Sequence, residues 1–102
     1  MEKSIPVAQV SELKPGEGKV VTVEGRELAL FNVAGRYYAV DNVCPHQGGP
    51  IGEGLLEGSV VTCPWHGWRF DVCTGKSPVI PSAAIETFAC VVEGDRVQVK
   101  IE

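Results

Sequence analysis

The chain has 102 residues and a mass of 10.9 kDa, enough for one small domain spanning residues 1–102 and no second. Apolar residues make up 44 %, the net charge is −4 and the nine basic residues are scattered, which argues against nucleic acid or an anionic membrane as partner and suits a partner with a basic docking face. No apolar run approaches a membrane span and MEKSIPVAQV lacks a signal-peptide core, so the expectation is a cytoplasmic monomer whose four cysteines stay reduced.

In chain order, Ile5-Pro-Val7-Ala8 predicts an edge strand, and Ser11-Glu-Leu13 a single turn capped by Ser11. Lys19–Glu24 and Glu27–Asn32 read as a hairpin about Gly25-Arg26, and Ala34-Gly35 turns the chain into a third strand, Arg36–Val40. From Asp41 to Lys76 the composition shifts to glycine, proline, cysteine and histidine, interrupted by one strand-like run, Ser59–Cys63. Thr87–Val92, a Glu93-Gly94-Asp95 turn and Arg96–Ile101 predict a closing hairpin. In its last strand Val97, Val99 and Ile101 alternate with polar residues. No helical period reaches useful length. The predicted architecture is a small all-β domain with a loop-rich insert, about 41–76, between its third strand and its closing hairpin.

The insert holds Cys44-Pro-His46 and, after sixteen further residues, Cys63-Pro-Trp-His66, and so both histidines of the chain. In an extended segment i and i+2 point the same way, so Cys44 and His46 can reach one site. In a tight turn i and i+3 meet, so Cys63 and His66 can do the same. The repeated Cys-Pro-…-His suggests two loops facing each other across one site. Gly48, Gly49, Gly52, Gly54 and Gly67 permit backbone N–H groups to approach an anionic centre.

Three chemistries use such donors. Structural zinc accepts two Cys and two His, but its knuckles usually pair Cys with Cys and His with His, giving a zinc-stabilised interaction module as one reading. A Cys–His nucleophile pair needs an orienting third group and leaves the second loop unexplained. A [2Fe–2S] cluster with two thiolates on one iron and two imidazoles on the other uses all four.

The run Cys44-Pro-His46-Gln-Gly48-Gly, then Cys63-Pro-Trp-His66-Gly-Trp-Arg-Phe70-Asp, then Thr74-Gly75 resembles the Rieske iron–sulfur proteins. That resemblance implies a Rieske-like antiparallel β sandwich. It implies that Cys44 and Cys63 hold the inner iron, and that His46 and His66 hold the outer iron through Nδ1. It further implies a one-electron carrier rather than an enzyme: a soluble ferredoxin passing electrons from a flavin-containing, NAD(P)H-dependent reductase to a terminal oxygenase. Electrons would cross at a tip made of His46, His66, Gln47, Gly67 and Pro81. The small subunit of an assimilatory nitrite reductase shares the fold and is the runner-up. The Pro78-Val-Ile-Pro81 loop is similar to the proline loop that covers the cluster in this family.

High-potential members carry an extra cysteine in each loop, joined as a disulfide, and a Ser and a Tyr whose hydroxyls reach the cluster. Here those positions are Gly49, Trp65, Trp68 and Phe70, which implies a low-potential type. Cys73 and Cys90 have no partner motif and are expected to be passive thiols, Cys90 in the core. Trp65 is assigned equally to shielding and to partner contact, Trp68 to packing. Glu53, Glu57 and Asp71 are expected at the surface.

Overall fold

The computed structural model describes residues 3–45, 48–65, 67–80 and 82–101. Its framework is two antiparallel sheets. The first has the order β1 (Lys3–Gln9), β10 (Arg96–Ile101), β9 (Cys90–Glu93). The second has β2 (Gly18–Val23), β3 (Arg26–Val33), β4 (Arg36–Asp41), β8 (Thr87–Phe88). A third, smaller sheet of β5 (Leu55–Glu57), β6 (Val60–Thr62) and β7 (Arg69–Asp71) lies inside the insert. The expected antiparallel all-β architecture is therefore present.

The β2–β3 hairpin turns one residue earlier than the sequence suggests. Glu24 and Gly25 form the turn, with φ of 50° and 81°, and Arg26 already opens β3. Ala34-Gly35 repeats the device at 51° and 92°. Two successive left-handed residues match the twist of the flanking strands. The early one-turn helix spans Val10–Glu12, so its cap is Gln9 and not Ser11, which sits inside the turn. The Glu12 carboxylate accepts the Gln9 backbone N–H.

β3 explains how the insert is seated. Leu28 and Leu30 pack with Val21, Val23, Ala39, Val97 and Val99 between the two framework sheets. Ala29 and Phe31, pointing the other way, pack with Val40 against Cys44, Ile51, Val61, Cys63, Phe70 and Val72 of the insert. This strand is buried on both faces, which is why Leu28–Phe31 reads as a continuous apolar run rather than an alternation. Each fully buried Phe or Leu here contributes about 1.5–3 kcal/mol relative to exposure.

The insert leaves the framework at the end of β4 and returns at β8, and its two ends are tied. The Asp41 N–H donates to Glu86 O at 2.9 Å, and Arg26 bridges Glu86 (2.6 Å) and Asp41 (3.4 Å) while lying over the Phe88 ring. Thr87–Val92, expected as one strand, is split at Ala89. Thr87 and Phe88 pair with β4, whereas Cys90 onward pairs with β10, so the chain crosses between the sheets there.

Candidate iron–sulfur site

The two Cys-Pro segments form the same loop twice. In the first, Gly48 N–H donates to Cys44 O (2.7 Å) and Cys44 N–H to Gly49 O (3.0 Å). In the second, Gly67 N–H donates to Cys63 O (3.1 Å) and Cys63 N–H to Trp68 O (2.7 Å). Both glycines have φ of 77°, the left-handed conformation that lets a five-residue turn close on itself. Each loop thus presents a cysteine at its first position and a glycine at its fifth. The loops expected to face each other do so: a Cβ placed on Gly49 would lie 2.8 Å from Cys63 Sγ and 2.9 Å from Trp65 Cγ.

Cys44 and Cys63 are each 2 % exposed, share one apolar cluster and are not joined as a disulfide. Two reduced thiols brought together beneath matching loops suit a centre held by thiolates. His46, His66, Gln47 and Pro81 lie outside the described residues; of the expected tip, Gly67 is described and is exposed. The positions that carry the disulfide in high-potential relatives, Gly49 and Trp65, do adjoin across the loops, with the indole packed over a glycine that has no side chain.

Residues that sequence reasoning missed hold these loops in place. Asn42 is buried; its carbonyl oxygen Oδ1 accepts Gly52 N–H (2.7 Å) and its main-chain O accepts Ile51 N–H (2.8 Å). That anchors a 3-10 turn, Ile51–Glu53, under the first loop. Ser77 Oγ accepts the N–H groups of Val79 (3.2 Å) and Ile80 (3.0 Å), which folds the Pro78–Ile80 loop back so that Ile80 packs on the cluster containing both cysteines. An Asn or Ser before a Pro- or Gly-rich loop was the available signal.

The remaining expectations divide. Trp68 is half-buried with its ring tilted 42° to that of Phe70 at 6.5 Å, and Phe70 is fully buried beside the two cysteines. Trp65 is 56 % exposed, so it offers a surface more than a shield. Asp71 is a turn former rather than a solvated acid: Oδ1 accepts Cys73 N–H (2.8 Å) and Oδ2 accepts the Ser59 hydroxyl. Cys73 is exposed and Cys90 half-buried, both as free thiols.

Burial pushes the Cys90 thiol up to about 12 because the thiolate would be desolvated. A raised folded value means that stability is undiminished below the unfolded value near 9.0 and falls as pH climbs from there towards 12. In native protein near neutral pH, iodoacetamide should therefore modify Cys73 and spare Cys90; mass mapping that finds both equally labelled would contradict this placement.

Two matching loops, each closing over a buried cysteine, thus sit on an antiparallel β framework. Residues 3–89 match the Rieske [2Fe-2S] domain, and the chain belongs to that family. It is 43 % identical to the ferredoxin component of a naphthalene 1,2-dioxygenase system from Pseudomonas aeruginosa, over 98 % of this chain and 97 % of that one. A ferredoxin of Sphingomonas yanoikuyae B1 superposes with a TM-score of 0.89 at 30 % identity, covering 98 % of this chain and all of that one (100 %). A chain in a complex of reduced oxygenase and oxidized ferredoxin of carbazole 1,9a-dioxygenase gives 0.87 at 32 % identity, with coverage of 94 % and 91 %. These ferredoxin relatives are electron-transfer components rather than catalysts. Among the described residues no helix is long and apolar enough to cross a membrane.

Proposed function

We infer that the chain is a Rieske-type ferredoxin carrying single electrons from a flavin-containing, NAD(P)H-dependent reductase to a terminal oxygenase of the ring-hydroxylating type. In this reading it is one cytoplasmic, monomeric domain over residues 1–102, with 41–76 as its cluster-binding part. The observation that carries it is the pair of identical loops, each closing over a buried thiol of one apolar core. Cys44 and Cys63 would hold the inner iron, and His46 and His66 the outer one. When bound, the cluster supplies a one-electron couple, less negative than an all-cysteine centre because two ligands are neutral.

The rest belongs to the chain. The core around Phe70, Ile51 and Val61 excludes water from the thiolate side. The loops leave Gly48, Gly67 and Trp65 exposed on the other side. Phe70 presents hydrocarbon next to the cysteines where high-potential relatives present a hydroxyl, and Gly49 with Trp65 replaces their disulfide.

These features support a potential in the lower part of the roughly −150 to +300 mV Rieske window. Anaerobic reconstitution with iron and sulfide should yield a red-brown protein, and reduction should develop a low-average-g EPR signal. A spectroelectrochemical midpoint far above zero would overturn the low-potential assignment, and an EPR-silent, zinc-loaded protein would overturn the function.

A further inference from the structure

The run Pro78-Val-Ile-Pro81 has only two backbone N–H groups, those of Val79 and Ile80, because proline has none. One atom takes both. Ser77 Oγ accepts Val79 N–H at 3.2 Å and Ile80 N–H at 3.0 Å. The base of the loop is pinned separately. Ser77 N–H donates to Ala83 O (3.1 Å), Ala83 N–H donates to Ile80 O (3.0 Å), and Lys76 pairs with Ala84 in an antiparallel bridge. Loss of the hydroxyl would leave those ties in place and release both donors.

The setting gives the released donors a target. Ser77 is buried, and Ile80, Ala83 and Ile85 pack in the same apolar core as Cys44 and Cys63. The loop therefore lies against the core that holds both thiols. A thiolate-held iron centre gains negative charge when it takes up an electron, and an N–H aimed at it favours that gain. Donors already spent on a serine oxygen give no such help.

We propose that Ser77 is a positioning residue for electron transfer: its hydroxyl keeps both amide donors of the proline loop turned away from the sulfur centre and so holds the reduction potential down. The inference rests on the electron-carrier reading and names a side chain that sets the driving force of that carrier. It acts in the same direction as Phe70, which presents hydrocarbon next to the cysteines.

The test compares cluster-loaded wild type, Ser77→Ala and Ser77→Thr by spectroelectrochemical titration and by hydrogen exchange over residues 78–81, read by mass spectrometry. Ser77→Ala should keep the Rieske spectrum and show a raised midpoint. At the wild-type midpoint its reduced-to-oxidised ratio should be at least about 3, the effect of one modest hydrogen bond. Exchange over residues 78–81 should quicken at least about tenfold as the two amides lose their acceptor. Ser77→Thr retains the hydroxyl and should match the wild type in both measurements.

An unmoved or lowered midpoint in Ser77→Ala overturns the proposal, and so does wild-type exchange over residues 78–81. A Ser77→Thr protein that shares the alanine variant's potential overturns it as well. So does a Ser77→Ala chain that cannot fold or take up iron, because the hydroxyl is then a structural requirement and not a setting of the potential. A wild type that never develops the Rieske spectrum defeats the carrier reading itself, whereas a normal spectrum with an unmoved Ser77→Ala midpoint defeats only this inference.

Discussion

Exchanging Cys63 for serine should yield a colourless protein with no EPR signal on reduction and a lowered melting temperature. The residue is 2 % exposed and lies in a core with Phe70, Val61 and Ile51, and its N–H is already committed to Trp68 O. An alcohol in that position stays protonated at neutral pH and is a poor ligand for iron. The stability loss follows from linkage: a group bound at a thousandfold excess over its Kd contributes about 4 kcal/mol that the variant forfeits. His66→Ala should likewise remove the cluster or its Rieske signature, and an unchanged spectrum would refute the ligand assignment. Cys73→Ser is the control. That thiol is exposed, so colour should persist and stability should move by no more than about 0.5 kcal/mol.

Gly49→Ala should be far more damaging than its size suggests. The added methyl would lie 2.8 Å from Cys63 Sγ and 2.9 Å from Trp65 Cγ, closer than packed atoms tolerate, so the second loop must retreat and take the proposed ligand sulfur with it. Cluster content after reconstitution, measured as iron per protein, should fall steeply. Overpacking of this kind costs about 1–3 kcal/mol. Gly48→Ala separates contact from conformation. Its Cβ would meet only Val43 at 3.9 Å, but its φ of 77° penalises a side chain by about 1–2 kcal/mol. Gly48→Ala should therefore lose stability and keep its iron, and equal iron loss in both variants would show that loop strain, not the approach to Cys63, governs assembly.

Where the chemistry was local, the sequence revealed it. β2, β3 and β4 follow from β-forming runs and Gly-centred turns, β10 from alternation, and the loops bearing Cys44 and Cys63 from their motifs. β5 and β7 are three residues each, too short for any period to register, and they exist because β6 pairs on both sides. The break at Ala89 carries no local mark, since Thr87–Val92 is uniformly strand-like and only competition between two sheets divides it. Gly49 reads as one flexible glycine among several until the opposite loop is in place. Asn42 reads as a loop residue until its amide is found under the 3-10 turn.

The double-faced strand β3 has a consequence for how the molecule opens. Ala29 and Phe31 face the thiols while Leu28 and Leu30, their immediate neighbours, face the sandwich. No unfolding path can strip the cluster-side core without dragging on residues that belong to the other one. The protein should behave as a single cooperative unit, with β3 amides the slowest to exchange with deuterium and their protection falling when the cluster is removed. Loss of iron would then be felt at β10, on the far side of the framework from the loops, as faster exchange at Val97 and Val99.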